Sequence, residues 1–266
     1  MPADAEIPST ILISEVGGIR TITLNRPDRR NALTPAMQAE LTVALEEAAA
    51  SPSTRVLVLT GARSAFCGGL DLAVLKAMTS QPVAELDADA HRLSKMFRTL
   101  FELPLPTIAA VNGHAIAGGT GLAICTDFTF AVPEANFGFT ECKIGFVPAL
   151  VSVYLRQQVS EKRARDLLLT GRLFSAAEAH AMGLIDDVVA PEALPDKVQA
   201  LADTLLGNSP SSLRATKVLL AKQNSSWLDT ALHHAMEANA QARQTRDFGE
   251  GVAAFLEKRK PNWQCD

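Results

Sequence analysis

A short apolar run that breaks at glycines and resumes as a second apolar run leaves few folds open to a chain. This one contains it twice. Thr107 to Val111 is apolar and ends at the turn pair Asn112-Gly113. Ala117-Gly118-Gly119-Thr120-Gly121 follows, then Leu122-Ala123-Ile124. The pattern predicts a buried strand, a tight turn, and a glycine-rich entry into a helix. The first amides of such a helix have no intrahelical partner and lie where the helix dipole favours negative charge. Glycines there let a ligand approach bare backbone, so Gly118 is predicted to help hold an oxyanion. Glu141 is the lone carboxylate in the stretch Phe137 to Gly145 and is predicted to face it as an acid/base. A dinucleotide-binding turn is the nearest rival, but it needs a third glycine where this chain has Ala123 and Ile124.

The second copy starts at Val56 to Thr60, a continuous apolar strand of the kind buried on both faces. It runs into Gly61 and then Ala65-Phe66-Cys67-Gly68-Gly69-Leu70-Asp71-Leu72. Two such turns could present two backbone donors to one oxygen. Cys67 has no histidine motif near it and reads as packing. Upstream, Ile11 to Ser14 and Arg20 to Leu24 read as strands around Gly17-Gly18, and Thr34 caps a helix with Pro35 at its first position. Arg26, Arg29 and Arg30 fall in the loop before it and read as solvated. Residues 73 to 105 read as helix interrupted near Ser80-Gln81-Pro82, with Leu93, Met96, Phe97, Leu100 and Phe101 as a core stripe. Asp127 to Ala131 and Asn136 to Phe139 read as short strands, with Asp127 a structural hydrogen-bonding group.

From Leu150 onward the pattern turns helical. Ser175 to Glu178 spells a capping box, Gly183 ends that helix, and Leu184 to Val189 reads as a last strand. Helices are expected over Leu194 to Leu206, from Ser209-Pro210, over Leu228 to Ala242, and from Phe248 to Lys260. The chain therefore divides into a strand-rich body, 1–192, and a helical region, 193–266. Phe248, Val252, Phe255 and Leu256 form an apolar face expected to need a neighbouring subunit.

Composition narrows the function. The chain has 266 residues, 47% of them hydrophobic, enough for a sizeable core. No apolar run is long enough to span a membrane, and Met1 to Thr10 carries no basic residue, so a cytoplasmic protein without targeting signal is expected. Cys67, Cys125, Cys142 and Cys265 are scattered, so neither disulfides nor a metal site is expected. A net charge of -4 does not favour nucleic acid.

These motifs together resemble the crotonase superfamily, the enoyl-CoA hydratases and isomerases. The residues that carry the resemblance are Leu24 to Leu33, Ala65 to Leu72, Val111 to Ala123, Phe137 to Pro148 and the terminal stretch Glu250 to Pro261. The resemblance implies an α/β fold: a crotonase-type superhelix of β-β-α turns with a C-terminal α-helical oligomerisation region. It implies an acyl-CoA thioester substrate, no separate cofactor since coenzyme A is part of the substrate, and a homotrimer or a hexamer built as a dimer of trimers. It assigns the oxyanion donors to the N–H groups of Leu70 and Gly118 and the acid/base to Glu141. Arg29, Arg30, Ala32, Gly68, Asp71, Gly121, Phe255 and Lys258 are then implied to line the CoA and acyl site, with Arg29, Arg30 and Lys258 toward the phosphates. Hydratases of the family use two glutamates, and the position of the first is Gly121 here. One carboxylate suits Δ3-Δ2 double-bond isomerisation better than hydration. Hydration of a 2-enoyl-CoA, and acyl-CoA binding without turnover, remain alternatives.

Overall fold

The structure is a computed structural model and describes residues 9–263; residues 1–8, read above for targeting signals, and Cys265 lie outside them. Strands β1 (Ile11–Val16) and β2 (Ile19–Leu24) form an antiparallel hairpin around Gly17 and Gly18, both with positive φ. Thr34 Oγ1 accepts from Met37 N at 3.2 Å and opens α1 (Pro35–Ala50). Three β-β-α units follow. The first is β3 (Val56–Gly61), β4 (Ala65–Cys67), then α2 (Leu72–Met78) and α3 (Val83–Phe101). The second is β5 (Thr107–Val111), β6 (His114–Ile116) and α4 (Gly118–Ile124). The third is β7 (Phe128–Ala131), β8 (Asn136–Gly138), a 3₁₀ turn over Glu141–Ile144 and α5 (Ala149–Leu155).

Each unit gives its first strand to one sheet and its second to another. Strands β2, β3, β5 and β7 run parallel in the larger sheet; β4, β6 and β8 run parallel in the smaller one. Two asparagines tie the turns between the two sheets to one another. Asn112 Nδ2 donates to the carbonyls of Gly61 (2.8 Å) and Arg63 (2.7 Å), and its Oδ1 accepts from Gly61 N. Asn31, fully buried with φ 53°, donates to the carbonyls of Ala62 and Ala65. Successive units are thereby stacked in register, the superhelix of β-β-α turns.

The remaining elements are α6 (Glu161–Thr170), β9 (Leu173–Ser175), α7 (Ala176–Ala181), β10 (Asp187–Val188), α8 (Leu194–Gly207), α9 (Pro210–Ala242) and α10 (Arg246–Leu256). Strand β9 pairs antiparallel with β8 and β10 parallel with β7, closing the two sheets. The expected strand at Leu184 to Val189 is thus two residues long. Half of the expected capping box forms: Ser175 Oγ accepts from Glu178 N, while the Glu178 carboxylate turns to Arg172.

Three features of the C-terminal region differ from expectation. The two helices expected after Ser209 are one, α9, because no Gly or Pro follows Pro210 before Ala242 to end it. The last helix stops at Leu256, and Lys258 beyond it is left-handed, so the basic residues sit past the helix and Arg259 folds back on Glu250. Phe248 and Val252 need no partner subunit: both are buried within the chain, Phe248 against Phe146 with ring centroids 5.4 Å apart, and only Phe255 and Leu256 are exposed. Helix α8 packs across β3, β5 and β7, and α9 packs on α3 and α5. Asp127, as expected, is structural: it accepts from Thr107 and pairs with Lys217 at 2.6 Å. No helix among the described residues is long and apolar enough to cross a membrane.

Candidate active site

The two glycine turns meet. A Cβ on Gly119 would collide with the Cys67 carbonyl, and one on Gly69 would lie 3.0 Å from the Ile116 carbonyl and 3.7 Å from Gly118 N. No side chain fits between them. Leu33 and Leu70 form a parallel bridge in which Leu33 N donates to Gly69 O and Asp71 N donates to Leu33 O. In a parallel bridge these bonds belong to the residues flanking Leu70, so the Leu70 N–H points away from Leu33. Gly118 is the first residue of α4, so its N–H has no intrahelical acceptor.

Backbone strain aims that amide. Ala117, just before α4, holds φ 52° and ψ -118°, a region that costs a side chain about 1–3 kcal/mol. Three bonds maintain it: Ala117 N donates to Gly138 O at 2.7 Å, and Thr120 Oγ1 accepts from Gly138 N at 3.1 Å while donating to Ala115 O. The Gly138 peptide is gripped on both sides by the second glycine turn, and Glu141 stands three residues beyond it, at the start of the 3₁₀ turn.

Glu141 is buried, and its Oε2 has no hydrogen-bond partner. Burial pushes its carboxyl up to about 7. A carboxyl that ionises near neutral pH in a dry site, with an open lone pair, is suited to take and return a proton. The space where a second carboxylate would stand is filled. A Cβ on Gly121 would lie 2.5 Å from Val151 Cγ1 and 2.9 Å from Phe97 Cε1. Phe97, read from sequence as core alone, is both core and the stopper of this position.

The other expected site residues divide into two groups. Gly68 N donates to Arg30 O at 2.8 Å, which puts Arg30, buried Ala32 and Gly68 in one loop beside Leu70. The side chains of Arg29, Arg30 and Lys258 are exposed and have no ion-pair partner among the described residues. Asp71 is already engaged: it caps α2 through Ala73 N and pairs with Arg26 at 2.9 Å, so Arg26 is not simply solvated. Phe255 is exposed on α10. Cys67 is fully buried with its thiol pushed up to about 12 by burial, an unreactive packing residue. Among the described residues no three His, Cys, Asp or Glu side chains gather to hold a metal ion.

Comparison with known proteins agrees with this geometry. The model of the enoyl-CoA hydratase/isomerase family matches residues 14–266. The chain belongs to that family. A Thermus thermophilus protein provisionally named an enoyl-CoA hydratase is 45% identical over 94% of this chain and 98% of its own length. The 1,2-epoxyphenylacetyl-CoA isomerase of Escherichia coli is 35% identical over 92% of this chain and 95% of its own. The crystal structure of an enoyl-CoA hydratase/isomerase from Xanthobacter autotrophicus superposes with a TM-score of 0.87 at 28% identity, covering 94% of this chain and 93% of that one. The chain is thus a crotonase-fold enzyme of the hydratase/isomerase class.

Burial of Glu141 has a stability signature opposite in sign to that of a salt-bridged carboxylate. Its folded pKa of about 7 lies above the ordinary 4.5, so folding favours the protonated form. The protein should lose stability as pH rises from about 4.5 to about 7, with the full cost above that. Glu141→Gln should therefore be more stable than wild type at pH 8, by roughly 3 kcal/mol, and not at pH 4.5. Urea unfolding at the two pH values checks this; a pH-independent difference would contradict the raised pKa.

Proposed function

We propose that the enzyme isomerises 3-enoyl-CoA to 2-enoyl-CoA with Glu141 as the only proton carrier. The Glu141 carboxylate removes a proton from C2. The electrons of that C–H bond pass toward the thioester, whose oxygen gains charge against the N–H groups of Leu70 and Gly118. The resulting dienolate takes the proton back at C4, the double bond now lies between C2 and C3, and Glu141 is again ionised. Fixed backbone donors in a dry site suit that charge, and losing one such donor typically costs ~10²–10³ in rate. The observation that carries the reading is the filled position at Gly121: Phe97 and Val151 stand where a second acid/base would be. Asp71 and Asp89, the other buried carboxylates among the described residues, are paired with Arg26 and Arg243.

Hydration of a 2-enoyl-CoA is the second reading, favoured by the hydratase name of the Thermus relative. The reading assigns the acyl-CoA phosphates to Arg29, Arg30 and Lys258, whose exposed side chains are free to meet them. It also assigns a trimer or hexamer, because Val218, Leu219, Leu220 and Trp227 are exposed on α9.

Initial rates on 3-hexenoyl-CoA and crotonyl-CoA separate the two reactions. Isomerisation of the first should exceed hydration of the second, and Glu141→Gln should lower it by at least ~10². Fast hydration with no isomerisation would reject the proposal. With the same substrates, Arg30→Ala should raise KM for the CoA thioester more than for the pantetheine thioester, which lacks the nucleotide; equal effects would remove Arg30 from the phosphate site. Light scattering at micromolar concentration should give three or six chains, and a stable monomer would contradict the assembly.

A further inference from the structure

A second, smaller apolar cluster lies beside the main core and touches the active site. Leu75, Met78 and Leu86 from α2 and α3 pack there with Phe146, Phe248 and Val252, and Leu70 borders it. Phe146 follows directly on the Glu141 turn, donating its N–H to Glu141 O at 3.0 Å. The cluster thus begins at an oxyanion donor and runs along the segment that carries the acid/base, where an acyl chain would leave the thioester.

Arg243, at the end of α9, closes the cluster. Its guanidinium carbon stands 5.4 Å from the centre of the Phe146 ring, and its side chain has no solvent exposure. Only Nη1 is engaged: it is in ion-pair contact with Asp89 Oδ2 at 2.9 Å and donates to the Leu86 carbonyl at 3.3 Å. Nε and Nη2 have no acceptor. Asp89 Oδ1 accepts from Arg92 at 3.0 Å, Asp89 Oδ2 makes no hydrogen bond despite its contact with Nη1, and Arg92 Nε is itself without an acceptor. Asn239 Oδ1, one turn back on α9, is also without a partner. Two arginines, Arg243 fully buried and Arg92 partly exposed, share one carboxylate, so positive charge and open donors remain beside the cluster.

The two open nitrogens are not an arbitrary pair. Nε–H and the adjacent Nη2–H form the side edge of the guanidinium, two parallel donors whose spacing matches the two oxygens of a carboxylate. We propose that this edge is a subsite for a carboxylate at the far end of the substrate's acyl chain, so that the preferred substrates are CoA thioesters of dicarboxylic acids. Phe146 and the cluster's other apolar side chains hold the methylene segment, and Arg243 reads the end group. The proposal rests on the acyl-CoA reading but not on the choice between isomerisation and hydration.

Calorimetric binding of saturated thioesters tests it, because neither reaction can consume them. Butanoyl-, hexanoyl- and octanoyl-CoA are compared with the mono-CoA thioesters of the four-, six- and eight-carbon dicarboxylic acids. At the length that fits, the wild-type protein should bind the carboxylate-bearing thioester ~10-fold or more tighter than its partner of equal length. Arg243→Met should abolish that preference while keeping affinity for the plain acyl thioester, and Arg243→Lys should restore part of it. Equal or tighter binding of the plain thioester at every length overturns the proposal on the wild type alone, whatever the variants do. Equal weakening of both classes by Arg243→Met also overturns it and makes Arg243 a latch between α3 and α9. Failure of both classes to bind would instead sink the acyl-CoA reading itself.

Discussion

The backbones of two turns must touch for anything else in this site to exist. Cys67 to Gly69 and Ile116 to Gly119 approach so closely that a methyl group on Gly119 would collide with the Cys67 carbonyl. That approach brings the turn before Leu70 against the turn that opens α4 at Gly118. It is enforced from several directions at once: by the Leu33–Leu70 bridge, by the asparagine-tied turns between the sheets, and by the grip of Ala117 and Thr120 on the Gly138 peptide. The strain stored at Ala117 persists because its surroundings determine it many times over. On the proposed reading, donors at Leu70 and Gly118 fixed in this way would cost little reorganisation when charge appears on the substrate.

Glu141 depends on the same grip. Its strand is held at Gly138, and its turn is covered by α10, since a side chain on Gly145 would strike the Asp247 backbone and one on Gly251 the Ile144 backbone. The carboxylate is left dry and unpaired, which raises its proton affinity and destabilises the fold when it ionises. Stability is spent there on reactivity. Phe97 and Val151 take up the volume over Gly121, so no side chain fits there.

Much of this was legible in the sequence, for stated physical reasons. Glycines between apolar runs marked both turns, Thr34-Pro35 marked the start of α1, and an isolated carboxylate in the apolar stretch around Phe137 to Gly145 marked Glu141. Strands β6 and β8 are three residues long, too short to show a period of two firmly. The inward turn of Phe248 depends on Phe146, about a hundred residues earlier, and no local pattern reports such a partner. Phe97 looked like one member of a core stripe, and only the space over Gly121 reveals its second role. Arg243 sits at a helix C-terminus, where a cation ordinarily points to water, so its burial was invisible before folding.

The central claim is that a single dry carboxylate carries one proton from C2 to C4. 3-Hexenoyl-CoA deuterated at C2 and turned over in ordinary water tests it most directly, with the 2-enoyl product examined by NMR or mass spectrometry at the first turnovers. The account predicts a measurable fraction of product with the label at C4, because buried Glu141 returns the deuteron before solvent exchanges it. Product formed at full rate with no deuterium at C4 from the first turnover would contradict it, and would require a second group or bulk water to deliver the proton.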